Sequence, residues 1–333
     1  MIKSDIRTGV IGVGSMGKNH ARVYSEMSDL CAVCDTDENA VKAIAEKYGC
    51  QPYRDIDDML SDSGVEAVTV ATPTVTHVGT AVKCLEAGLD ILVEKPIADS
   101  VEAAEKIIET AKRGSRVLAV GMIERHNPVV RFMKDLLEKE TIGRTVTISS
   151  RRVSNFPSRI KDVGVITDLG VHDIDVIRYL AGGEVRTVYG IGGKVRASEF
   201  EDHATVMLGF DNGIEGIIEV SWLTPMKLRN VTVTGVDGVA EMDYVDQEVK
   251  IMRSSFGDLD MGNLWMVPIN YDTKRLRVRM EEPLKREIAD FLSAVEKRKG
   301  PLVSGQDGLE AVRIAKAAER SIREKKVIEL GGR

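Results

Sequence analysis

The chain has 333 residues, of which 43 % are apolar and 29 % charged, and its formal net charge is -6. This length accommodates two ordinary domains, each with its own hydrophobic core. The negative charge argues against a general attraction to nucleic acid or anionic membrane, although a local basic site is compatible with it. No apolar run approaches the roughly 18 residues that a spanning helix needs, and the N-terminus lacks the layout of a signal peptide, so a cytoplasmic protein is expected.

Residues 7 to about 121 alternate short aliphatic runs with amphipathic segments. The runs predict strands at 8–14, 30–35, 65–73, 89–96 and 116–122. The segments between them are apolar at i, i+3 and i+4, and several end at glycine, which is typical of helices. Buried strands that alternate with helices predict βαβ units and a parallel sheet.

The pattern changes after about residue 122. A helical segment at 127–140 precedes long strand-like runs at 144–153, 185–196, 203–210, 214–223, 230–236 and 239–253. Turn-forming residues at 211–213 and 235–238 are typical of hairpins, and the chain returns to helix at about 283–298 and 305–325. The sequence therefore predicts an α/β protein, with a Rossmann dinucleotide-binding domain at 1–122 and an α+β domain with an open, mostly antiparallel sheet at 123–333.

A glycine-rich turn lies directly after the first predicted strand. Gly12, Gly14 and Gly17 form G-x-G-x-x-G, with Ser15 and Met16 in the same turn. In a dinucleotide site these glycines allow a tight turn, a close approach of the backbone to pyrophosphate, and close packing of helix on strand. The amides at the helix N-terminus then hold the phosphates.

An acidic residue completes this fingerprint. Asp35 ends the next strand, about 20 residues further on, where a carboxylate accepts hydrogen bonds from the adenosine ribose. The next residues, 36–39, include no cation for a 2′-phosphate. The expected cofactor is therefore NAD(H) rather than NADP(H).

The four cysteines, Cys31, Cys34, Cys50 and Cys84, are expected to be buried thiols. The first two form C-x2-C, but they lie in an apolar run and the others do not repeat the spacing. An unpaired cysteine usually packs as a small hydrophobic residue.

The segment TDLGVHDIDV at 167–176 concentrates charge on a predicted helix. Asp168 and His172 are four residues apart, and Asp173 and Asp175 come directly after them as expected helix charges or salt-bridge partners. Histidine is the usual general base near neutral pH. A zinc site would need a third ligand at a recognised spacing, and the sequence offers none, so no metal is expected.

The order of these motifs resembles the Gfo/Idh/MocA oxidoreductases over the whole chain. The dinucleotide fingerprint, the segment VEKPIA at 93–98, and D-x-x-x-H at Asp168 and His172 carry the resemblance. It implies oxidation or reduction of a secondary alcohol of a sugar, inositol or nucleotide sugar. It also implies that Glu94 and Lys95 line the nicotinamide, that Lys95 reaches the reacting hydroxyl, and that Asp168 and His172 bind substrate and move its proton.

A further segment, ATPTVTHV at 71–78, resembles the family's Thr-Pro-Asn-x-x-His loop over the cofactor. Thr72, Pro73 and His77 match that loop, whereas Thr74 replaces its Asn.

The chemistry explains why a base and a cation are both expected. Hydride transfer requires the hydroxyl proton to leave at nearly the same time, so His172 is a candidate base, and a place in the first turn of its helix would favour the neutral ring. Lys95 can polarise the same oxygen. Which of the two takes the proton first stays open.

Positive charge is concentrated just before this helix. In the segment 149–165, Arg151, Arg152, Arg159 and Lys161 stand against the single acid Asp162. Arginine forks suit phosphate oxygens, and a nucleotide sugar carries a diphosphate; the alternative is a solvated face.

Two further candidate substrate contacts, Arg125 and Asn127, lie just after the predicted strand at 116–122. The segments GMIERHNPVV and RRVSNFPSRIKDVGVITDLGVHDIDVIRYL are similar to UDP-N-acetylglucosamine 3-dehydrogenases, which implies oxidation of that sugar's 3-hydroxyl. The alternatives are a dehydrogenase of a free polyol such as myo-inositol, one of a UDP-hexuronic acid, and a catalytically silent NAD(H)-binding sensor.

The second sheet also predicts a partner. Its strands carry apolar side chains on both faces, and the chain's own helices can cover only one of them. A second copy on the other face is expected, giving a homodimer or homotetramer.

Overall fold

The computed structural model describes residues 3–156, 163–196, 199–256 and 269–331. The chain divides into two compact units. Unit 1 comprises Met1–His126 and Glu282–Arg313, and unit 2 comprises Asn127–Glu281 and Ile314–Arg333.

Both units combine strands and helices. In chain order the strands are β1 (Arg7–Ile11), β2 (Asp29–Cys34), β3 (Gln51–Tyr53), β4 (Ala67–Val70), β5 (Asp90–Glu94), β6 (Leu118–Gly121), β7 (Thr145–Val153), β8 (Val185–Gly193), β9 (His203–Phe210), β10 (Glu215–Ser221), β11 (Leu228–Gly235), β12 (Gly238–Asp243), β13 (Glu248–Phe256), β14 (Ile269–Arg277) and β15 (Ile328–Glu329). The α-helices of the described residues are α1 (Gly17–Met27), α2 (Glu38–Tyr48), α3 (Ile56–Asp62), α4 (His77–Glu86), α5 (Val101–Gly114), α6 (Pro128–Glu138), α7 (Val171–Ala181), α8 (Pro283–Lys297) and α9 (Gly305–Glu324).

Local side chains define several helix ends. The Asp37 carboxylate accepts hydrogen bonds from the first amides of α2, and Gly49 ends that helix with a φ of 71°. Ser100 caps α5 in the same way. Such caps satisfy the amides that have no partner within the helix.

Unit 1 contains a parallel sheet in the order β3-β2-β1-β4-β5-β6. Strands β4 and β5 are aliphatic and buried along their whole length, as expected for strands covered on both faces. The strand order reverses at the neighbours β1 and β4, and ligands of such sheets bind beyond the carboxyl ends of the strands at this point. The predicted Rossmann domain is thereby confirmed.

Helix α8 belongs to this first unit. Its buried side chains, Leu284, Ile288, Phe291 and Leu292 among them, join one apolar core with residues of β1, β2 and α1. The sequence placed 283–298 in the second domain, because an amphipathic pattern shows that a helix has an apolar face but not which core receives it.

Unit 2 is built on a nine-stranded sheet in the order β14-β13-β12-β11-β7-β10-β9-β8-β15. Only β7 and β10 pair in parallel among these strands as described. Helices α6 and α7 pack on one face, which buries alternate residues such as Ile148, Ser150 and Arg152 of β7. The open, mostly antiparallel sheet predicted from the sequence is confirmed.

Several elements differ from the sequence predictions. The run 239–253 was predicted as one strand, but it forms the hairpin of β12 and β13, with a turn in which Gln247 has a φ of 48°. The short elements β3, α3 and β15 were not predicted, nor was β14. None of the described helices combines the length and the apolar character that crossing a bilayer requires.

We expect Phe291→Ala to lower the free energy of unfolding by about 3–5 kcal/mol, because its ring is 1 % exposed in the core that α8 shares with the first sheet. Urea unfolding followed by circular dichroism measures the change. Lys297→Ala, on an exposed position of the same helix, is the control. A loss no larger than that of the control would contradict the assignment of α8 to this core.

Candidate active site

The glycine-rich turn joins β1 to α1. Gly12 has a φ of +87°, and a Cβ there would lie 2.7 Å from the Ala71 carbonyl. A Cβ on Gly17 would lie 1.7 Å from the Gly12 oxygen, whereas none of the described atoms lies within 4 Å of a Cβ added to Gly14. The protein's own packing therefore requires the first and third glycines. The middle glycine leaves open space at the start of α1, which fits a bound phosphate group.

The rest of this turn is close to solvent. Gly14 and Ser15 are exposed, and Met16 is partly exposed directly before α1. Their position agrees with the predicted contact to a cofactor.

Asp35 lies directly after β2 and supports the same turn. Its Oδ2 accepts a hydrogen bond of 2.7 Å from the Val13 amide, and its Oδ1 accepts one of 2.9 Å from the Asp37 amide. A carboxylate has about four acceptor positions, so Asp35 can hold the turn and still accept a ribose hydroxyl.

His77 acts on the loop after β4 through the backbone. It is 1 % exposed, with Nδ1 3.0 Å from the Pro96 oxygen and Nε2 2.8 Å from the Thr72 oxygen. Burial lowers the pKa of His77 against the opposing effect of these carbonyls, and a neutral ring donates to one carbonyl at a time. These contacts give His77 a positioning role, and its predicted contact with the cofactor stays a prediction. Thr72 and Pro73 are accessible on that loop.

Glu94 ends β5 with its carboxylate turned into the protein. It is 8 % exposed, its Oε1 lies 2.8 Å from His20 Nε2, and its Oε2 accepts a hydrogen bond of 3.0 Å from the Lys95 amide. Burial would raise the pKa of Glu94, but the hydrogen bond and charge of His20 and the charge of Lys95 hold it below its usual value. Glu94 therefore supports the Lys95 backbone, and its contact with the nicotinamide stays a prediction.

His20 of α1 is a fully buried partner of this site. Its Nδ1 lies 3.3 Å from the Thr69 hydroxyl, which is 2.8 Å from the Tyr24 hydroxyl. His20 and Tyr24 are four residues apart and therefore share one helix face. That spacing was the sequence signal for burial, but nothing local named Glu94 as the partner.

Lys95 stands at the carboxyl end of β5, where parallel sheets bind their ligands. Every residue of β5 is buried, whereas Lys95 is partly exposed. Its peptide bond to Pro96 is cis.

In unit 2, a π-helical turn at Ile166–Gly170 runs directly into α7. The amide of Val171 donates to the Ile166 oxygen, five residues back. Asp168 therefore lies in the first turn of the helical segment and His172 in the second. The expectation that the helix dipole acts on His172 from the first turn is corrected, since the dipole falls off within that turn.

The four charged residues of this segment separate by burial. Asp168 and His172 are partly exposed, whereas Asp173 and Asp175 are 0 % and 1 % exposed. The pair predicted to bind substrate is thus the pair that remains accessible.

Two glutamates hold the start of this helical segment. Glu201 accepts from the Ile166 amide at 3.1 Å, and Glu319 of α9 accepts from the Thr167 hydroxyl at 2.7 Å. Burial raises the pKa of Glu201, with the charge of Glu319 adding to the shift.

Arg152 was predicted to bind substrate, and the structure shows it as an internal partner of α7. It is 1 % exposed, its Nε donates to Asp173 Oδ2 at 2.6 Å, and its guanidinium stacks 4.9 Å from the centre of the Tyr244 ring. Breaking such a buried pair leaves an uncompensated charge, so Arg152 fixes α7 against β7.

Arg151 points to the opposite face of the sheet, because successive side chains of a strand alternate. It is exposed and pairs with Glu219 of β10 at 3.1 Å. Arg159, the third predicted arginine, lies outside the described residues.

Arg125 and Asn127 also have internal roles. Arg125 is 4 % exposed and pairs within unit 1 with Asp307 at 3.1 Å. The Asn127 side chain caps α6 and donates to the Tyr244 carbonyl at 3.2 Å within unit 2. Both residues therefore have internal partners, and their contact with substrate stays a prediction.

The remaining predicted groups have simple environments. All four cysteines are free, and burial raises the pKa of Cys84 to about 12. In the described part of the chain, no group of three or more His, Cys, Asp or Glu side chains is arranged to hold a metal ion.

Two family models match the chain. One, described as the oxidoreductase family GFO_IDH_MocA with an NAD-binding Rossmann fold, matches residues 6–122. The other, the GFO/IDH/MocA C-terminal domain, matches residues 130–241. The first match confirms the prediction of an NAD cofactor.

Known proteins are similar over nearly the full length. The UDP-N-acetylglucosamine 3-dehydrogenase of Acidithiobacillus ferrooxidans is 29 % identical over 91 % of this chain and 93 % of its own. Its solved structure superimposes with a TM-score of 0.87 over 97 % and 99 % of the two chains. The inositol 2-dehydrogenase of Rhizobium meliloti is 31 % identical over 98 % of this chain and 99 % of its own.

A protein of gentamicin A biosynthesis, solved in complex with NAD, is 25 % identical, with a TM-score of 0.85 over 100 % of this chain and 98 % of its own.

We expect Gly14→Ala and Gly17→Ala to separate cofactor binding from folding. Gly14→Ala should leave the melting temperature unchanged but weaken NADH binding at least tenfold, because its methyl group enters open space at the start of α1. Gly17→Ala should lower the melting temperature, because its methyl group meets the Gly12 carbonyl. NADH fluorescence titration and thermal unfolding measure the two effects. Unchanged NADH affinity in Gly14→Ala would contradict the placement of the phosphates.

Proposed function

Because the chain belongs to the Gfo/Idh/MocA oxidoreductase family, we propose that it oxidises a secondary alcohol of a sugar with NAD as the acceptor. The first candidate substrate is UDP-N-acetylglucosamine, oxidised at its 3-hydroxyl. The second is a free polyol such as myo-inositol.

The exposure pattern around α7 carries this proposal. Of the four acidic and histidine residues at 168–175, the two buried ones serve the fold, and Asp168 and His172 stay accessible. A sensor without chemistry would have no use for an accessible acid and base combined with Lys95 at the end of β5. The pattern therefore favours an enzyme.

The roles derive from the chemistry of alcohol oxidation. NAD, when bound, would supply the acceptor for the hydride on the carbon that carries the reacting hydroxyl. Lys95 polarises the hydroxyl oxygen and stabilises its developing negative charge. His172 accepts the hydroxyl proton, and Asp168 orients the ring or binds a neighbouring hydroxyl.

The substrate order rests on the relatives rather than on the arginines. The nucleotide-sugar dehydrogenase combines 29 % identity with a close structural match, while the inositol dehydrogenase is slightly more identical at 31 %. Arg125 and Arg152 have internal ion pairs, and Arg151 pairs on the opposite face. These three arginines therefore give no support to a diphosphate site, and myo-inositol is a serious second candidate.

The face of the second sheet opposite α7 is the proposed subunit interface. Tyr189, Met207 and Ile217 are cross-strand neighbours there, and Met207 and Ile191 are 50 % and 64 % exposed. An apolar row on an otherwise polar sheet face suits an isologous contact with a second copy. We propose a homodimer or homotetramer through this face.

With purified protein and NAD, we expect reduced nicotinamide to form with UDP-N-acetylglucosamine and to form at least 100-fold more slowly with myo-inositol or with NADP. Absorbance of NADH measures the rates, with a ketone trap to draw the unfavourable oxidation forward. A higher rate with myo-inositol would keep the family chemistry and overturn the nucleotide-sugar assignment.

Catalytic variants control this experiment. Lys95→Ala and His172→Ala should each lower kcat by about 10²–10⁴-fold, the usual contribution of a positioned acid or base. Lys112→Ala, at an exposed position of α5, should keep full activity. Near-normal turnover in Lys95→Ala and His172→Ala would reject the assigned roles.

Met207→Asp should shift the protein to smaller oligomers, because it places a charge in the centre of the proposed interface. Light scattering coupled to size exclusion measures the mass. Val327→Asp, equally exposed at 53 % but outside the apolar row, is the control. A wild-type monomer, or an unchanged mass in Met207→Asp, would contradict an interface on this face.

A further inference from the structure

Glu287 is a buried acid that the proposed mechanism does not use. It lies on the inner face of α8 and is 2 % exposed. Among the described residues, neither of its carboxyl oxygens has a hydrogen-bond partner. A carboxylate in such a place loses its hydration without compensation, so the environment favours the neutral acid.

The groups around Glu287 connect it to the Lys95 site. Burial raises the pKa of Glu287 well above its usual value, and the charges of Glu94 and Asp290 raise it further. Tyr24, also buried, is within range of the same charge, since Glu287 adds to the effect of burial in raising the Tyr24 pKa. Glu287 is therefore within electrostatic range of Glu94, Asp290 and Tyr24, and Glu94 in turn contacts His20.

Glu94 and Glu287 have opposite surroundings. Both oxygens of Glu94 have donors, from His20 and from the Lys95 amide, whereas the described residues supply none to Glu287. Two acids that interact in a buried place do not both ionise readily. The charge therefore belongs on Glu94 and the proton on Glu287.

We propose that Glu287 is a positioning residue for Lys95, which it serves by keeping a proton so that, of these two buried acids, Glu94 alone carries the negative charge. The inference rests on the proposed role of Lys95. A second anion would repel the Glu94 carboxylate from its donors and would disturb the backbone that places Lys95.

The proton itself can be observed without any activity. Infrared spectra should show the carbonyl band of a protonated carboxylic acid at neutral pH, and Glu287→Gln should lack it. Glu296→Gln, on an exposed position of the same helix, should retain it. A wild-type spectrum at neutral pH that Glu287→Gln leaves unchanged would overturn the proposal.

The pH dependence of unfolding gives a second readout. Because the pKa of Glu287 is higher in the folded than in the unfolded state, the folded state keeps the proton up to a higher pH. Stability due to this group is then complete below about pH 4.5, the ordinary value, and is lost as the pH rises through the folded pKa. Within that window, the equilibrium constant for folding of the wild type should fall by up to tenfold per pH unit relative to that of Glu287→Gln. Parallel curves would overturn the proposal.

The pH profile of kcat/KM then tests positioning. Glu287→Gln mimics the neutral acid, so it should match wild type where Glu287 is protonated and lack the loss of activity that its ionisation causes at higher pH. Glu287→Met, which is neutral and apolar, should show the same profile and replaces Glu287→Gln if that variant folds poorly. If the kcat/KM profiles of wild type and Glu287→Gln coincide over the pH range in which the infrared band disappears, the positioning role is overturned. If no substrate is turned over while the infrared band is present, the proposed function fails and the assignment of the proton stands.

Discussion

The buried charge of Glu94 is the constraint on which the nucleotide-binding unit depends. A carboxylate at 8 % exposure is stable only if its oxygens have strong donors. One donor is the amide of the next residue, Lys95, and the other is His20 on α1. Because α1 also begins at the glycine-rich turn, the contact between His20 and Glu94 links the helix after that turn to the backbone of Lys95, the proposed catalytic lysine.

The second unit uses the same principle on a different scaffold. Asp173 of α7 is fully buried, and Arg152 of β7 neutralises it while its guanidinium lies over the Tyr244 ring. A buried pair with good geometry adds little net stability, but the removal of one partner is strongly destabilising. The pair therefore specifies where α7 sits on its sheet. In both units a buried acid one residue from a proposed catalytic residue is held by a cation or histidine from a neighbouring element.

Local patterns predicted much of this arrangement. The periods of the apolar residues predicted both sheets, and the glycine spacing together with Asp35 predicted the glycine-rich turn. These features depend on residues that are near one another in sequence. The inward orientation of the Glu94 and Arg152 side chains could not be predicted from neighbouring residues. Their partners, His20 for Glu94 and Asp173 for Arg152, are distant in the chain. Strand alternation alone places Arg151 and Arg152 on opposite faces, so the predicted strand at 144–153 was already enough to keep these two arginines from sharing one surface.

The π-helical turn explains why the four-residue spacing of Asp168 and His172 does not by itself place their side chains together. In a continuous α-helix, residues four apart lie almost one above the other. The Val171 to Ile166 hydrogen bond inserts one extra residue, which rotates the residues before the turn by about 100° relative to the residues after it. Asp168 lies within this turn, which Glu201 and Glu319 hold by hydrogen bonds to the Ile166 amide and the Thr167 hydroxyl. Such single π turns concentrate at functional sites, and here the turn carries the acid of the proposed pair.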